Sequence, residues 1–339
     1  MSTLNSSASD PSRGLAMLAT ALGPSIATIL AAADTIEVIV NPDGRVWVER
    51  VGRGREFAGF RLEPTETERA IRLIATLTGA EVTRDRPIVS AELPPIDGGR
   101  GGERFEGLLP PVVKAPCFAI RKPASQIISL DDYVASGVIN DAQRLELKRA
   151  ITDHANIIVA GGTGSGKTTL ANALLAEIAA LDERVVILED TRELQCAAED
   201  VVALRTQPGS VTLSDLVRST LRLRPDRIIV GEVRGPEALD LLKAWNTGHP
   251  GGIATLHANS ARAALARLEQ LAMEASTSPP TALIAEAVDL VVFIERGGPA
   301  GRRISEIYAP KLDRPILDQR GAREPAAPGF KAHRSPSGA

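Results

Sequence analysis

The sequence predicts an α/β fold in which a mostly parallel sheet, covered by helices on both faces, follows a smaller α+β domain. Three observations carry this expectation. From Asp141 onward, apolar runs alternate with helix-forming stretches, the pattern of strand–helix units in a parallel sheet. The runs at 156–160, 184–189, 201–206, 226–231, 251–256 and 288–295 have the length of buried strands. Upstream, residues 13–122 mix alternating strand-like segments, one sharp turn and helical stretches, with no regular strand–helix alternation.

A chain of 339 residues is long enough for two domains with a sizeable core. Its 44% apolar and 24% charged residues are those of a globular protein. A net charge of −3 supplies no global basic field for nucleic acid or anionic lipid, and 3% aromatic residues argue against a base-stacking platform. Cys117 and Cys196 stand in no metal-ligand spacing and are expected as reduced thiols of a cytoplasmic protein.

Residues 1–12 are Ser-rich and are expected to be disordered. Gly14 to Ala33 is almost uncharged, but Gly23-Pro24 interrupts it and its apolar content is mainly Ala; two short helices are expected rather than a membrane span or signal peptide. Thr35 to Val40 alternates as a strand, Asn41-Pro42-Asp43-Gly44 turns the chain, and Arg45 to Glu49 returns. A helix is expected over Glu66 to Leu77, with Thr65 as N-cap and Glu68 closing a capping box. Pro87 to Leu93, Glu103 to Leu109 and Cys117 to Arg121 read as strands, and Pro94 to Gly102 as a Pro/Gly loop. Residues 123–130 form a linker, 131–312 the second domain, and 313–339 a Pro-rich disordered tail.

The chemistry concentrates in the second domain. Gly161-Gly162-Thr163-Gly164-Ser165-Gly166-Lys167-Thr168-Thr169 satisfies the phosphate-loop pattern and lies between a strand and a helix. Glycines let successive N–H groups face phosphate oxygens, and the helix adds the positive end of its dipole. Lys167 offers a mobile charge to the β- and γ-phosphates, and Thr168 a hydroxyl to Mg²⁺. The strand Val185 to Leu188 runs into Glu189 and Asp190, where a carboxylate can orient water or hold a metal's water shell. The run Arg227 to Val230 ends in Gly231-Glu232, with glycine where a metal-binding aspartate usually stands; Glu232 is then the candidate for polarising the attacking water. The roles of Glu189 and Glu232 are exchangeable at this level. His257 closes a Gly-rich turn and strand, where it can donate to a γ-phosphate; His249, at the start of that segment, is the weaker candidate. Arg192 and Arg234 flank the two carboxylate segments and are candidate charge-stabilising groups.

These four segments, in this order, resemble the secretion ATPase superfamily: a Walker A motif at 161–169, an Asp box at 185–194, an atypical Walker B at 225–234 and a His box at 247–259. Asp34 to Gly44, Gly101 to Val113 and Phe118 to Lys122 resemble its type IV secretion branch, and the likeness spans about residues 13–312. The resemblance implies a RecA-like P-loop NTPase domain, ATP and Mg²⁺ as ligands, and a homo-hexameric ring. It implies Mg²⁺ bound by Thr168, Glu232 and Glu189, partly through water. Arginines from the N-terminal domain or a neighbouring subunit would complete the site, with Arg121 and Arg104 as candidates. It also implies inner-membrane channel components of a type IV secretion or conjugation apparatus as partners and peripheral attachment to the cytoplasmic face of the membrane; from the charge and aromatic content, no sequence-specific nucleic-acid binding is expected. A pilus or type II secretion motor is the nearest alternative, although two cysteines cannot build the four-cysteine zinc module of many type II assembly ATPases. A helicase-like ring would need a basic pore, for which Arg218, Arg222 and Arg224 are the candidates.

Overall fold

The computed structural model describes residues 11–93, 102–123, 127–207 and 209–318, and the chain divides into two compact units, Met1–Ser125 and Gln126–Ala339.

In the first unit α1 (Pro11–Ala31) is two helical pieces joined at Gly23, whose φ of 77° only glycine adopts readily. Among the described residues no helix is long and apolar enough to cross a membrane. An antiparallel sheet follows, built from β1 (Thr35–Val40), β2 (Arg45–Arg50), β3 (Gly54–Arg61), β4 (Ile88–Glu92), β5 (Arg104–Leu108) and β6 (Cys117–Arg121), in the order β3-β2-β1-β6-β5-β4. Leu18, Leu22 and Ile26 of α1, with Ile71 and Ile74 of α2 (Pro64–Thr78), pack on Val38, Val40, Phe105, Phe118 and Ile120.

Four expectations for the chain need correction. Strand β3 was not anticipated, because most of its positions are exposed and its sequence lacks a buried alternating face. Helix α2 starts earlier than Thr65: Glu63 is its N-cap, Pro64 takes the first helical turn, and Glu66 closes the capping box. Glu68 instead pairs with Arg72 at 2.8 Å. The tail expected from 313 contains a strand, β14 (Arg314–Asp318), paired antiparallel with β13. Backbone pairing to an existing sheet edge orders a segment that has no periodic signal of its own. Residues 1–10, 94–101, 124–126 and 319–339, on which the remaining disorder, loop and linker expectations fall, lie outside the described residues, although Pro11 and Ser12 already belong to α1.

The second unit contains α3 (Leu130–Ala135), α4 (Asp141–Thr152), β7 (Ile157–Gly161), α5 (Lys167–Ile178), β8 (Val185–Glu189), β9 (Val201–Arg205), α6 (Leu213–Thr220), β10 (Arg227–Val230), α7 (Glu237–Asn246), β11 (Ile253–His257), α8 (Ala261–Ala272), α9 (Thr281–Ala287), β12 (Leu290–Arg296) and β13 (Arg302–Ala309). The sheet order is β14-β13-β12-β7-β11-β10-β8-β9; β12 through β9 run parallel, and β13 and β14 are added antiparallel. Both faces are covered, as the unbroken apolar runs require. Ile158, Ala160, Leu188 and Val230 point into one core with Leu241, Leu242 and Trp245. Ile157, Val159, Ile187 and Ile229 point into the other with Leu147, Leu170 and Leu174.

One buried charge fixes the amino-terminal edge of this sheet. Arg227 is fully buried, is paired with Glu183, and donates to the carbonyls of Ile151 (2.8 Å) and Gly251 (3.1 Å). A carboxylate and two carbonyls are what a buried guanidinium needs to offset its desolvation.

Candidate active site

Parallel strands deliver their carboxyl ends to one edge, so β7, β8, β10 and β11 bring Gly161, Glu189, Glu232 and His257 together. The loop after β7 is shaped by backbone that only glycine tolerates well: Gly164 has φ 67° and Gly166 φ 103°. Gly161 has no room for a side chain, since a Cβ there would fall 2.2 Å from the Ile294 carbonyl oxygen and 2.5 Å from Ser165 Oγ. Gly166 caps α5 without any side-chain hydrogen bond, which leaves the first-turn N–H groups for an anion. Lys167 Nζ donates to the Gly162 carbonyl at 3.0 Å and lies 3.3 Å from His257 Nδ1.

From Lys167 a row of charged groups crosses the strand tips. His257 Nε2 is 2.8 Å from Glu232 Oε1, Arg234 holds Glu232 Oε2 at 2.5 Å, and Arg234 lies 3.7 Å from Asp190. Burial, reinforced by the Lys167 charge, holds the His257 imidazole below its ordinary pKa, against an opposing pull from Glu232. His257 is therefore neutral at pH 7. Its Nε2–H donates to Glu232 while Nδ1 accepts from Lys167.

Glu189 is 4% exposed, and its Oε1 accepts from the backbone N–H groups of Glu193 (2.9 Å) and Leu194 (2.8 Å). Burial pushes its carboxyl up to about 7, against those two hydrogen bonds. The same side chain explains the glycine at the tip of β10: a Cβ on Gly231 would stand 2.9 Å from Glu189 Cγ. A raised carboxylate pKa favours the fold while the group is protonated, so its contribution falls as pH rises from about 4.5 to about 7 and is flat above. Glu189→Gln can still accept both N–H groups and never ionises. The variant is expected to lose this pH dependence, worth about 3 kcal/mol between pH 4.5 and 7. Urea unfolding of nucleotide-free protein at pH 5 and pH 8 measures it, and an unchanged slope in the variant would contradict the assignment.

Glu193 was missed by sequence reasoning. Its Oε2 accepts from the Thr168 hydroxyl at 3.2 Å, and its carbonyl accepts from Asn172 at 3.2 Å. The signal was a third carboxylate in the same segment, but the rule that favours strand ends does not reach a residue four positions into a loop. Thr168 and Glu193 together offer the hard oxygens that suit Mg²⁺. Among the described residues no group of three or more His, Cys, Asp or Glu could hold a metal alone, so such an ion would rely on phosphate oxygens as well.

Other candidates fall elsewhere. Arg192 is exposed beside this loop, and its charge pulls the Glu189 pKa down only weakly. His249 is corrected: its Nδ1 sits 3.2 Å from the Pro225 carbonyl, at the amino end of β10. The turn containing His249 enters β11, whereas His257 leaves it, and a strand separates the two by its length. Arg218 pairs with Asp240 at 3.0 Å, and Arg224, with φ 56°, precedes the same amino end. Arg104 and Arg121 belong to the first unit, where they are cross-strand neighbours on β5 and β6 beside Glu37 of β1. Burial raises the Glu37 carboxyl, while Arg121 and then Arg104 pull it down.

The model of the family described as "Type II/IV secretion system protein" matches residues 23–329. A conjugal transfer protein, TrbB, of Rhizobium radiobacter is 54% identical over 288 residues, covering 84% of this chain and 87% of that protein. The type IV secretion system protein PtlH of Bordetella pertussis is 36% identical, covering 82% of this chain and 91% of its own. Among solved structures, the pilus retraction motor PilT with bound ADP shares the fold, with a TM-score of 0.61, 21% identity, and coverage of 87% of this chain and 83% of that one. A phosphate loop, a Gly-Glu strand tip and a terminal histidine converging on one sheet edge agree with that match over most of the sequence: the chain belongs to the type II/IV secretion system protein family.

Proposed function

We propose that this chain is an ATP hydrolase that works as a homo-hexamer on the cytoplasmic face of the inner membrane and powers a conjugal transfer or type IV secretion apparatus. The observation that carries the proposal is Glu232, fixed between His257 and Arg234 two strands away from the phosphate loop, with β11 between. The loop N–H groups and Lys167 bind the phosphates. Glu232 holds the attacking water and accepts its proton, which is general-base chemistry. When Lys167 turns to phosphate it no longer donates to His257 Nδ1, and the ring can move its single N–H from Glu232 to the γ-phosphoryl group. Arg234 balances charge at Glu232, and Arg234 and Arg192 are proposed to stabilise charge on the transferring phosphoryl. Glu189 acts through the Glu193–Leu194 backbone that it holds.

Thr168 would hold Mg²⁺ through its hydroxyl, with Glu193, Glu232 and Glu189 reaching it through water. When bound, the ion neutralises charge across the β- and γ-phosphates. Arg104 and Arg121 are proposed as nucleotide-binding residues on the family resemblance. The channel components at the membrane are the proposed partners, on the same ground and on the names of the relatives. ATP turnover against protein concentration, with mass photometry on the same samples, tests the oligomeric part. Turnover per subunit should rise as a six-subunit species forms; full turnover in a monomer would contradict a site shared between subunits.

A further inference from the structure

Two arginines outside all four motifs stand against the phosphate loop. A Cβ added to Gly164 would fall 2.5 Å from Arg296 Nη2, and one added to Gly166 would fall 2.7 Å from Arg302 Nη1. Arg296 Nε also reaches the Gly164 carbonyl at 3.5 Å. Both come from the hairpin of β12 and β13, the first at its outgoing end and the second at its return. Among the described residues neither guanidinium pairs with a carboxylate, whereas their neighbour Arg303 holds Glu295 at 2.9 Å.

Two buried hydroxyls mark the same region. Tyr133 of α3 is 1% exposed, and its hydroxyl has no hydrogen-bond partner. Burial pushes it up to about 12 while the nearby Arg302 charge pulls the other way. Ser165, inside the loop, is 2% exposed and its Oγ is likewise unpartnered. Each unmade buried hydrogen bond costs about 1–3 kcal/mol. A fold that keeps two of them beside two carboxylate-free guanidiniums is arranged for a ligand.

Strand order gives that ligand a direction. β12 flanks β7 on one side; β11, β10 and β8 lie on the other, with His257, Glu232 and Glu189 at their tips. A nucleotide whose terminal phosphate meets Lys167 and His257 therefore turns its nucleoside end towards the β12–β13 hairpin. We propose that Arg296 and Arg302 form the nucleoside end of the nucleotide site: the exposed Arg296 lays its guanidinium plane on the base, and the half-buried Arg302 donates to the α-phosphate beside Gly166. This rests on the nucleotide-binding reading given above. A guanidinium stacks on any base plane, so this end holds the base without reading its edge.

Calorimetric titration of the full chain with ATP, GTP and inorganic tripolyphosphate tests it. In the wild type ATP and GTP should bind within a few-fold of each other, and both more tightly than tripolyphosphate. Arg296→Ala should weaken ATP about tenfold and leave tripolyphosphate unchanged, which also reports that the loop is folded. Arg302→Ala should weaken ATP about tenfold or more, as loss of a charge-assisted hydrogen bond does. Arg296→Lys keeps the charge without the plane and should lose the preference for ATP over tripolyphosphate, a readout that stands if the alanine variants do not fold. ATP affinity and preference unchanged in these variants would overturn the proposal while leaving the phosphate loop intact. Lys167→Ala separates the two ideas: it should lose ATP and tripolyphosphate together. A wild type that binds neither would instead overturn the nucleotide site itself.

Discussion

Glu232→Gln is expected to keep ATP bound and to stop its hydrolysis. The amide preserves the size of the side chain and one acceptor, but it cannot take a proton from water. Loss of a positioned general base costs about 10²–10⁴-fold in turnover. Binding should change little, because in the proposed site the loop and Lys167, rather than Glu232, hold the phosphates. His257 Nε2–H can still donate to the amide oxygen, so the contact at 2.8 Å survives, while the amide nitrogen faces Arg234 less favourably. Rapid-quench turnover with equilibrium ATP binding on the same sample measures both effects. If ATP affinity fell with turnover, Glu232 would be serving the bound nucleotide rather than the water.

Lys167→Ala should remove the site's main mobile charge. Lys167 is 7% exposed, is the first helical residue of α5, and contacts the Gly162 carbonyl and His257. Such contacts help to satisfy a nearly buried ammonium, and in the proposed site phosphate oxygens would take them over. Without it, the charge building up on the β- and γ-phosphates meets only backbone dipoles, and a loss of about 10²–10³-fold in turnover, with weakened ATP binding, is expected. Burial is the main cause of the lowered His257 pKa and the Lys167 charge adds to it, so removing that charge should let the imidazole titrate higher. NMR of the His257 ring in the wild type and the variant measures that shift independently of catalysis. A ring that titrates identically in both would show that the two groups are uncoupled in solution.

Much of this arrangement was legible in the sequence, for physical reasons that differ by element. The strands ending at Gly161, Glu189, Val230 and His257 announced themselves because a strand buried on both faces must be continuously apolar. The phosphate loop was legible because its backbone demands glycine at Gly164 and Gly166. What was hidden depends on contacts between distant segments. The glycine at 231 looked like a departure from a motif, and its cause is the Glu189 side chain packed against it. Glu193 meets Thr168 only because Glu189 gathers the backbone at 193–194. Arg296 and Arg302 lie in a hairpin with no motif and reach the loop through the position of β12 beside β7. His249 shows the opposite error: sequence proximity to His257 suggested a shared site, but one strand's length places the two at opposite ends of the sheet.

The most direct test of the central claim is phosphate release from Mg²⁺-ATP by the wild type, Lys167→Ala and Glu232→Gln, measured with ATP binding at equal concentrations of folded protein. Steady turnover is expected in the wild type, loss of both binding and turnover in Lys167→Ala, and bound but unhydrolysed ATP in Glu232→Gln. Turnover at the wild-type rate in both variants would place the chemistry elsewhere and contradict it.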